Sequence, residues 1–190
     1  TSSDDTAVTQ VTWVNDRGGS GAATGTTVWT VSNIALQIGT NVITVTAYDA
    51  AGNIGSDTLT VTHTPRHADY LVVNTAGVTT NPSDRSQVIG ITISNSHSSY
   101  NIVIASMTIS WSGAPGGTRL NTIRINGANV WTGTNNSGVV ENITDFTLVA
   151  GFGNYPINYL DFNRTMTGST INITFTMLDG TTKVITGLLP

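Results

Sequence analysis

Two stretches of this chain alternate apolar and hydroxyl-bearing residues with a period of two, and this period constrains the fold more than any other feature. The first is NVITVTAYDAAGNIGSDTLTVT, residues 41–62, and the second covers residues 171–188 near the other end. Successive side chains of a β-strand point to opposite faces, so such alternation predicts strands with one buried and one wet face. Asp and Gly at Asp49–Asn53 and at Asp179-Gly180 predict tight turns. Each stretch therefore predicts a β-hairpin.

The remainder of the chain predicts further short strands and no helix. Only 9% of the residues are charged, which in a polar chain often indicates disorder. Here β-branched residues recur too regularly for that, in short runs separated by turn residues about 8–12 residues apart. We predict an all-β protein of two antiparallel β-sandwiches in series. The domains are residues 1–63 and 69–190, joined by a linker over residues 64–68, and the first domain has a strand near 26–31.

Residues 3–62 resemble the bacterial Ig-like repeats found in tandem on surface and secreted proteins. The matching segments are SDDTAVTQVTWVNDRGGSGAATGTTVWTV, NIALQIGTNVITVTAYDAAGN and DTLTVT. That family normally has two more strands before Ser3. The resemblance therefore implies two Ig-like sandwiches, the first incomplete within this chain and completed from outside it. Upstream residues or a strand donated by a neighbouring subunit could complete it, and Lys183–Pro190 is one candidate donor.

Residues 69–183 resemble the β-sandwich heads of type IV pilin-like and related surface-filament subunits. The matching segments are DYLVVNTAG, GITISNSHSSYNIVIASMTISWSG, LNTIRINGANVWTG, NITDFTLVAG and INITFTMLDGTTK. The resemblance implies a non-enzymatic structural subunit of an extracellular, cell-surface filament or pilus-like polymer, assembled through strand complementation between subunits. The alternative is an adhesin or carbohydrate-binding segment of a larger secreted protein. Copies of the chain itself are the expected partners, together with other surface proteins or glycans.

Composition argues against several other functions. Cysteine is absent, which excludes disulfides and thiol catalysis. The net charge is −4 and Lys183 is the single lysine, so no basic patch for nucleic acid is expected. No apolar run approaches the roughly 18 residues that a membrane-spanning helix needs, so we expect no membrane span in this chain.

Two groups of polar residues could carry chemistry, although each also has a simpler interpretation. His63, His67 and Asp69 lie together in the linker, where a metal site would lack rigid support. Glu141 and Asp145 are four residues apart, which on a regular strand places both carboxylates on one face. We expect neither group to be catalytic, and we expect no cofactor and no tightly held metal.

Calcium and sugars are the remaining candidate ligands. Two turns could together offer calcium several oxygens, although such residues usually bond their own backbone; the residues are Asp4, Asp5, Asp49 and Asn53. Four aromatic residues could form a sugar-stacking platform or could be core residues; they are Trp29, Trp131, Tyr155 and Tyr159. Trp13 and Trp111, which share strand faces with Val11 and Ile109, are expected to be buried.

Overall fold

The computed structural model describes Ser2 and residues 7–190. It confirms the all-β, antiparallel class, with a single short helix among the described residues. The chain divides into two compact units, Thr1–Pro65 and Arg66–Pro190. No helix in the described part of the chain is long and apolar enough to cross a membrane.

The first unit contains one four-stranded antiparallel sheet. Its strands are β1 (Val8–Asn15), β2 (Ser20–Ala22), β3 (Gly39–Asp49) and β4 (Ile54–His63), in the order β2-β1-β3-β4. The predicted hairpin is present: β3 pairs with β4 from Gly39 opposite His63 to Tyr48 opposite Ile54. Strand β4 is therefore an edge of this sheet.

The strand predicted near residues 26–31 is wrong, because this region is not a regular strand. Thr24 and Thr30 form only an isolated bridge across a tight turn. Gly25 has φ +92°, and a Cβ at this position would lie 2.1 Å from the carbonyl oxygen of Val28. Asn33 also has a positive φ, 60°. These left-handed residues interrupt the extended backbone, so one face of the sheet is covered by an irregular segment and not by a second sheet.

The second unit places one sheet of seven strands opposite one of four. The first consists of β5 to β8, β10, β11 and β13, and the second of β9, β12, β14 and β15. The bounds are β5 Leu71–Asn74, β6 Thr79–Asn81, β7 Asp84–Ile89, β8 Ile91–Asn95, β9 Ile102–Ser112, β10 Leu120–Ile125, β11 Ala128–Asn135, β12 Val140–Leu148, β13 Tyr155–Phe162, β14 Thr170–Met177 and β15 Thr182–Leu188. The order of the smaller sheet is β12-β9-β14-β15, which makes β15 an edge strand.

Two glycines lie at the point where the partner strand of β13 changes from β8 to β7 in the larger sheet. Gly90, with φ +87°, separates β7 from β8, and Gly77 lies in the connection between β5 and β6. A Cβ built on Gly90 would lie 1.8 Å from the carbonyl oxygen of Gly77, so the two backbones touch. Strand β13 accordingly pairs with β8 through Tyr155–Ile157 and with β7 through Leu160 and Asp161.

The apolar core lies between the two sheets of the second unit. Its side chains come mainly from alternate positions of β9, β13 and β14, such as Ile109, Leu160 and Ile173, all at most 1% exposed. Trp111 was expected to be buried but is only partly so. It packs edge-on against Phe162, with 5.1 Å between ring centroids, at the margin of the core.

The linker predicted over residues 64–68 is shorter in the structure. Helix α1 (His67–Tyr70) already belongs to the second unit. Its first two backbone N–H groups donate to the β14–β15 turn: His67 N–H to Asp179 Oδ2 at 2.8 Å and Ala68 N–H to Thr181 Oγ1 at 3.0 Å. These bonds satisfy donors that the start of a helix leaves free, which is why the helix begins here.

Candidate functional site

A groove of about 670 Å³ opens on one face of the sheet in the first unit. Its floor consists of three rows that run across β1, β3 and β4. They are Val11–Ala47–Gly55, Trp13–Val45–Asp57 and, on β3 and β4 alone, Ile43–Leu59. The rows follow directly from period-two alternation, since alternate residues of neighbouring strands share a face. The floor is therefore predominantly apolar, with one carboxylate, Asp57, on its outer strand.

The irregular segment that follows β2 forms a wall of the groove beside this floor, through Trp29, Val31 and Ile34. At its start, Ser2 Oγ donates to the carbonyl oxygen of Thr26 at 2.6 Å. The indole Nε1 of Trp29 is buried and has no hydrogen-bond partner among the residues that the structure describes. A buried N–H without an acceptor is unfavourable.

Two buried asparagines hold the end of this segment against the sheet. Asn41 donates from Nδ2 to the carbonyl oxygens of Gln37, at 2.8 Å, and of Gly39, at 3.0 Å. Its Oδ1 accepts from the backbone N–H of Gln37 at 3.0 Å and from Asn15 Nδ2 at 3.1 Å. Asn41 is completely buried, and Asn15 is 3% exposed. Amide hydrogen bonds thus hold the C-terminal end of the segment that forms this wall to the sheet.

The first unit buries very little apolar surface of its own. Among its described residues, Val11 and Ile43 are the only Val, Ile, Leu, Met or aromatic side chains that are fully buried, whereas the second unit buries 25 apolar residues. Trp13, expected to be buried, is half-buried and lines the groove. Leu59, on the predicted apolar face of its hairpin, is 59% exposed. A unit with so small a core is marginal by itself.

Strand β4 borders the groove and offers an open edge. Nine of its ten residues are exposed. The N–H of Thr58 donates to the carboxylate of its neighbour Asp57, at 2.7 Å from Oδ1, and not to β3. An open edge beside an exposed apolar surface is a feature that proteins normally cover, because another strand can pair with it.

The structure does not unite the three linker residues into a site. His63 is exposed, with Nδ1 3.2 Å from the carbonyl oxygen of Leu36 in the first unit. His67 is 8% exposed within the second unit. Asp69 lies 3.9 Å from Arg66 in an exposed ion pair. Across the described residues, no group of three or more His, Asp or Glu side chains could hold a metal ion.

Of the four residues in the calcium hypothesis, the structure describes only two. Asp4 and Asp5 lie outside the described residues. Asp49 uses both carboxylate oxygens within its own turn, accepting from Asn53 N–H at 2.8 Å and from Asn53 Nδ2 at 2.6 Å. The bond from the Asn53 side chain is the main cause that lowers the pKa of Asp49. These two residues therefore close the hairpin.

Glu141 and Asp145 do not share a face, so that prediction is wrong. The register of β12 against β9 shifts between Asn142 and Phe146, which breaks the simple alternation. Glu141 points inward and is 2% exposed, whereas Asp145 is exposed. Burial raises the pKa of Glu141, and a 2.7 Å hydrogen bond from Asn135 Nδ2 partly offsets this.

Replacing Glu141 with Gln is expected to stabilise the protein at neutral pH. The folded-state pKa is above the ordinary Glu value, so the native state holds this proton more tightly than the unfolded state. Stability is therefore lost as pH rises through the folded-state pKa. A Gln side chain keeps the acceptor for Asn135 and cannot ionise. The unfolding free energies of E141Q and wild type, measured from pH 4 to pH 8, should diverge as pH rises. D145N is the exposed control, and an equal effect of D145N would contradict the assignment.

The four aromatic residues of the sugar-platform reading do not form one surface within either unit. Trp29 lies in the first unit and lines the groove. In the second unit Tyr155 is 6% exposed and belongs to the core, and Trp131 packs against that core. Tyr159 lies beneath the Arg124 guanidinium, 5.9 Å from its ring centroid. That Trp13 and Trp29 line the same groove was not anticipated from the sequence, because it depends on the irregular path after β2.

No protein-family model, no curated protein and no solved structure matches this chain.

Proposed function

We propose that the protein is a structural subunit of an extracellular filament or pilus-like surface polymer, in which a strand from another copy completes the first unit. The observation that carries this proposal is the small buried core of the first unit, combined with an apolar groove beside the open edge of β4. One added strand that buries three apolar side chains would contribute roughly 1.5–3 kcal/mol for each of them, before ordering costs. The low charge and the resemblances of both units to surface-protein domains favour a location outside the cell.

Proline at position 58 tests this function directly. The Thr58 N–H makes no bond to β3, so Thr58→Pro should leave the sheet intact while blocking the edge for another strand. Thr58→Val is the matched control, since it keeps the N–H. We expect wild type and T58V to form dimers or longer polymers in sedimentation and electron micrographs, and T58P to remain monomeric with an unchanged circular dichroism spectrum.

Two outcomes would contradict the proposal. One is a wild-type chain that stays monomeric at high protein concentration while its first unit is stably folded. The other is polymerisation that T58P leaves unchanged.

Carbohydrate binding is the second candidate, favoured by Trp13 and by the unpartnered indole N–H of Trp29 in the groove. A stacked sugar could also supply an acceptor for this N–H. Titration with neutral oligosaccharides, followed by tryptophan fluorescence, separates the two functions. Saturable quenching that is lost in W29F but kept in W131F would favour the sugar-binding module.

A further inference from the structure

We infer that the strand that pairs with β4 is β15 of a second copy, joined edge to edge, with Asp57 of one copy beside Lys183 of the other. This inference rests on the proposed function and identifies the partner of the same site. Strand β4 forms one edge of the sheet in the first unit, and β15 forms one edge of the smaller sheet in the second unit. The strands contain ten and seven residues, so five or more pairs of residues can form between them.

The two edges carry opposite charges. Asp57 is the only Asp or Glu on β4, and Lys183 is the only charged residue on β15 and the only lysine in the chain. Each lies near the groove or core face of its strand: Asp57 is paired with Val45, and Lys183 with Phe175. A register in which Asp57 lies opposite Lys183 places both charges on the same side of the joined sheet. On that side the groove face of β4 meets the core face of β15. A shift of the register by one residue would place the two charges on opposite sides.

A charged residue on an edge strand usually deters pairing with another edge. Here the charged residues on the two edge strands, Asp57 and Lys183, have opposite signs. Two β4 edges would bring two carboxylates together, and two β15 edges would bring two ammonium groups together. Only the β4–β15 combination brings attraction, so like edges are rejected and unlike edges are selected. Each charge therefore favours pairing with the unlike edge strand over pairing with a second copy of its own strand.

Apolar contacts favour the same combination. When Asp57 lies opposite Lys183 in parallel strands, Leu59, which is 59% exposed, lies opposite Ile185, which is partly buried beside the core. Strand β15 can pair in this way without leaving β14, because its bonds to β14 use the opposite edge. Since the contact joins different surfaces of two identical chains, it leaves β15 of the first copy and β4 of the second free to pair again. Repetition of such a contact produces an open polymer.

Charge reversal tests the inference. D57K and K183D should each weaken self-association by about tenfold or more, because attraction becomes repulsion. A mixture of the two variants should also recover association, because Asp57 of the K183D chain lies beside Lys183 of the D57K chain and the two substituted positions carry opposite charges as well. The double variant D57K/K183D exchanges both signs within one chain. That double variant should recover near wild-type association. D84K and R85D, which change exposed charges on β7, should associate like wild type.

Cysteine trapping gives an independent measurement, since the chain has no cysteine of its own. One sample would carry Ser56→Cys on β4. A second would carry Thr182→Cys or Val184→Cys on β15, which covers the parallel and antiparallel arrangements. Mild oxidation of a mixture should give disulfide-linked heterodimers, and the S56C sample alone should give few homodimers. Ser86→Cys on β7 replaces S56C as the control.

The outcomes separate this inference from the proposed function. If D57K and K183D polymerise like wild type and no β4–β15 disulfide forms, β15 is not the partner strand, although strand complementation still stands. Absence of any self-association in the wild type would overturn both. Loss of association in D57K and K183D, with recovery in the double variant, supports the inference.

Discussion

Gly90→Ala is expected to destabilise the second unit by about 4 kcal/mol or more, one of the largest effects available in this chain. Two causes combine at this position. The residue has φ +87°, which an L-residue with a Cβ rarely adopts, and the added Cβ would lie 1.8 Å from the carbonyl oxygen of Gly77. Since that oxygen belongs to backbone, relief requires the connection between β5 and β6 to move. Chemical denaturation, followed by the signal of the second unit, measures the loss.

Gly138→Ala is the matched control for this substitution. Gly138 has a similar φ of +80°, but no atom lies within 4 Å of a Cβ at that position. Only the conformational cost remains, about 1–2 kcal/mol. The difference between the two variants therefore reports the contact between Gly77 and Gly90. Equal losses in both variants would show that the two backbones are not in contact.

Asn41→Leu is expected to unfold the first unit at 25 °C while the second unit stays folded. The substitution removes four hydrogen bonds from a completely buried amide and leaves the backbone groups of Gln37 and Gly39 without partners. Each buried group left unsatisfied costs about 1–3 kcal/mol. Val11 and Ile43, the two buried aliphatic side chains in the described part of this unit, cannot offset such a loss.

Hydrogen exchange measured residue by residue provides the readout for Asn41→Leu. Amides of β1 and β3 should lose protection, while those of β9 and β14 keep theirs. Asn142→Leu is the control, because Asn142 is exposed on β12. Retained protection in β1 and β3 would show that the asparagine pair does not hold the unit together.

Local alternation was sufficient to predict most of the strands. The hairpin at residues 41–62 and the pair β14–β15 were anticipated because each combines period-two alternation with a turn that suits Asp and Gly. These signals act between residues close in sequence. The class of fold follows from their sum.

Features that depend on distant backbone contacts were not predictable in this way. Gly25 and Asn33 replace an expected strand by an irregular segment, and Trp29 on that segment lines the same groove as Trp13. The shift in register on β12 separated Glu141 from Asp145, although their spacing suggested one face. Alternation also marked Leu59 as a buried residue, but it cannot show whether anything lies above that face.

The unequal cores of the two units imply unequal lifetimes. A segment that buries few side chains opens often, because little free energy opposes each opening. A protease added to single copies of the chain would therefore cleave within the first unit long before it reached the second. The fragment that persists would begin close to Arg66, where α1 is bonded to the β14–β15 turn. A strand bound in the groove would lower the fraction of time that the first unit is open, and cleavage would slow in proportion. The rate of digestion would therefore measure assembly without any image of a polymer.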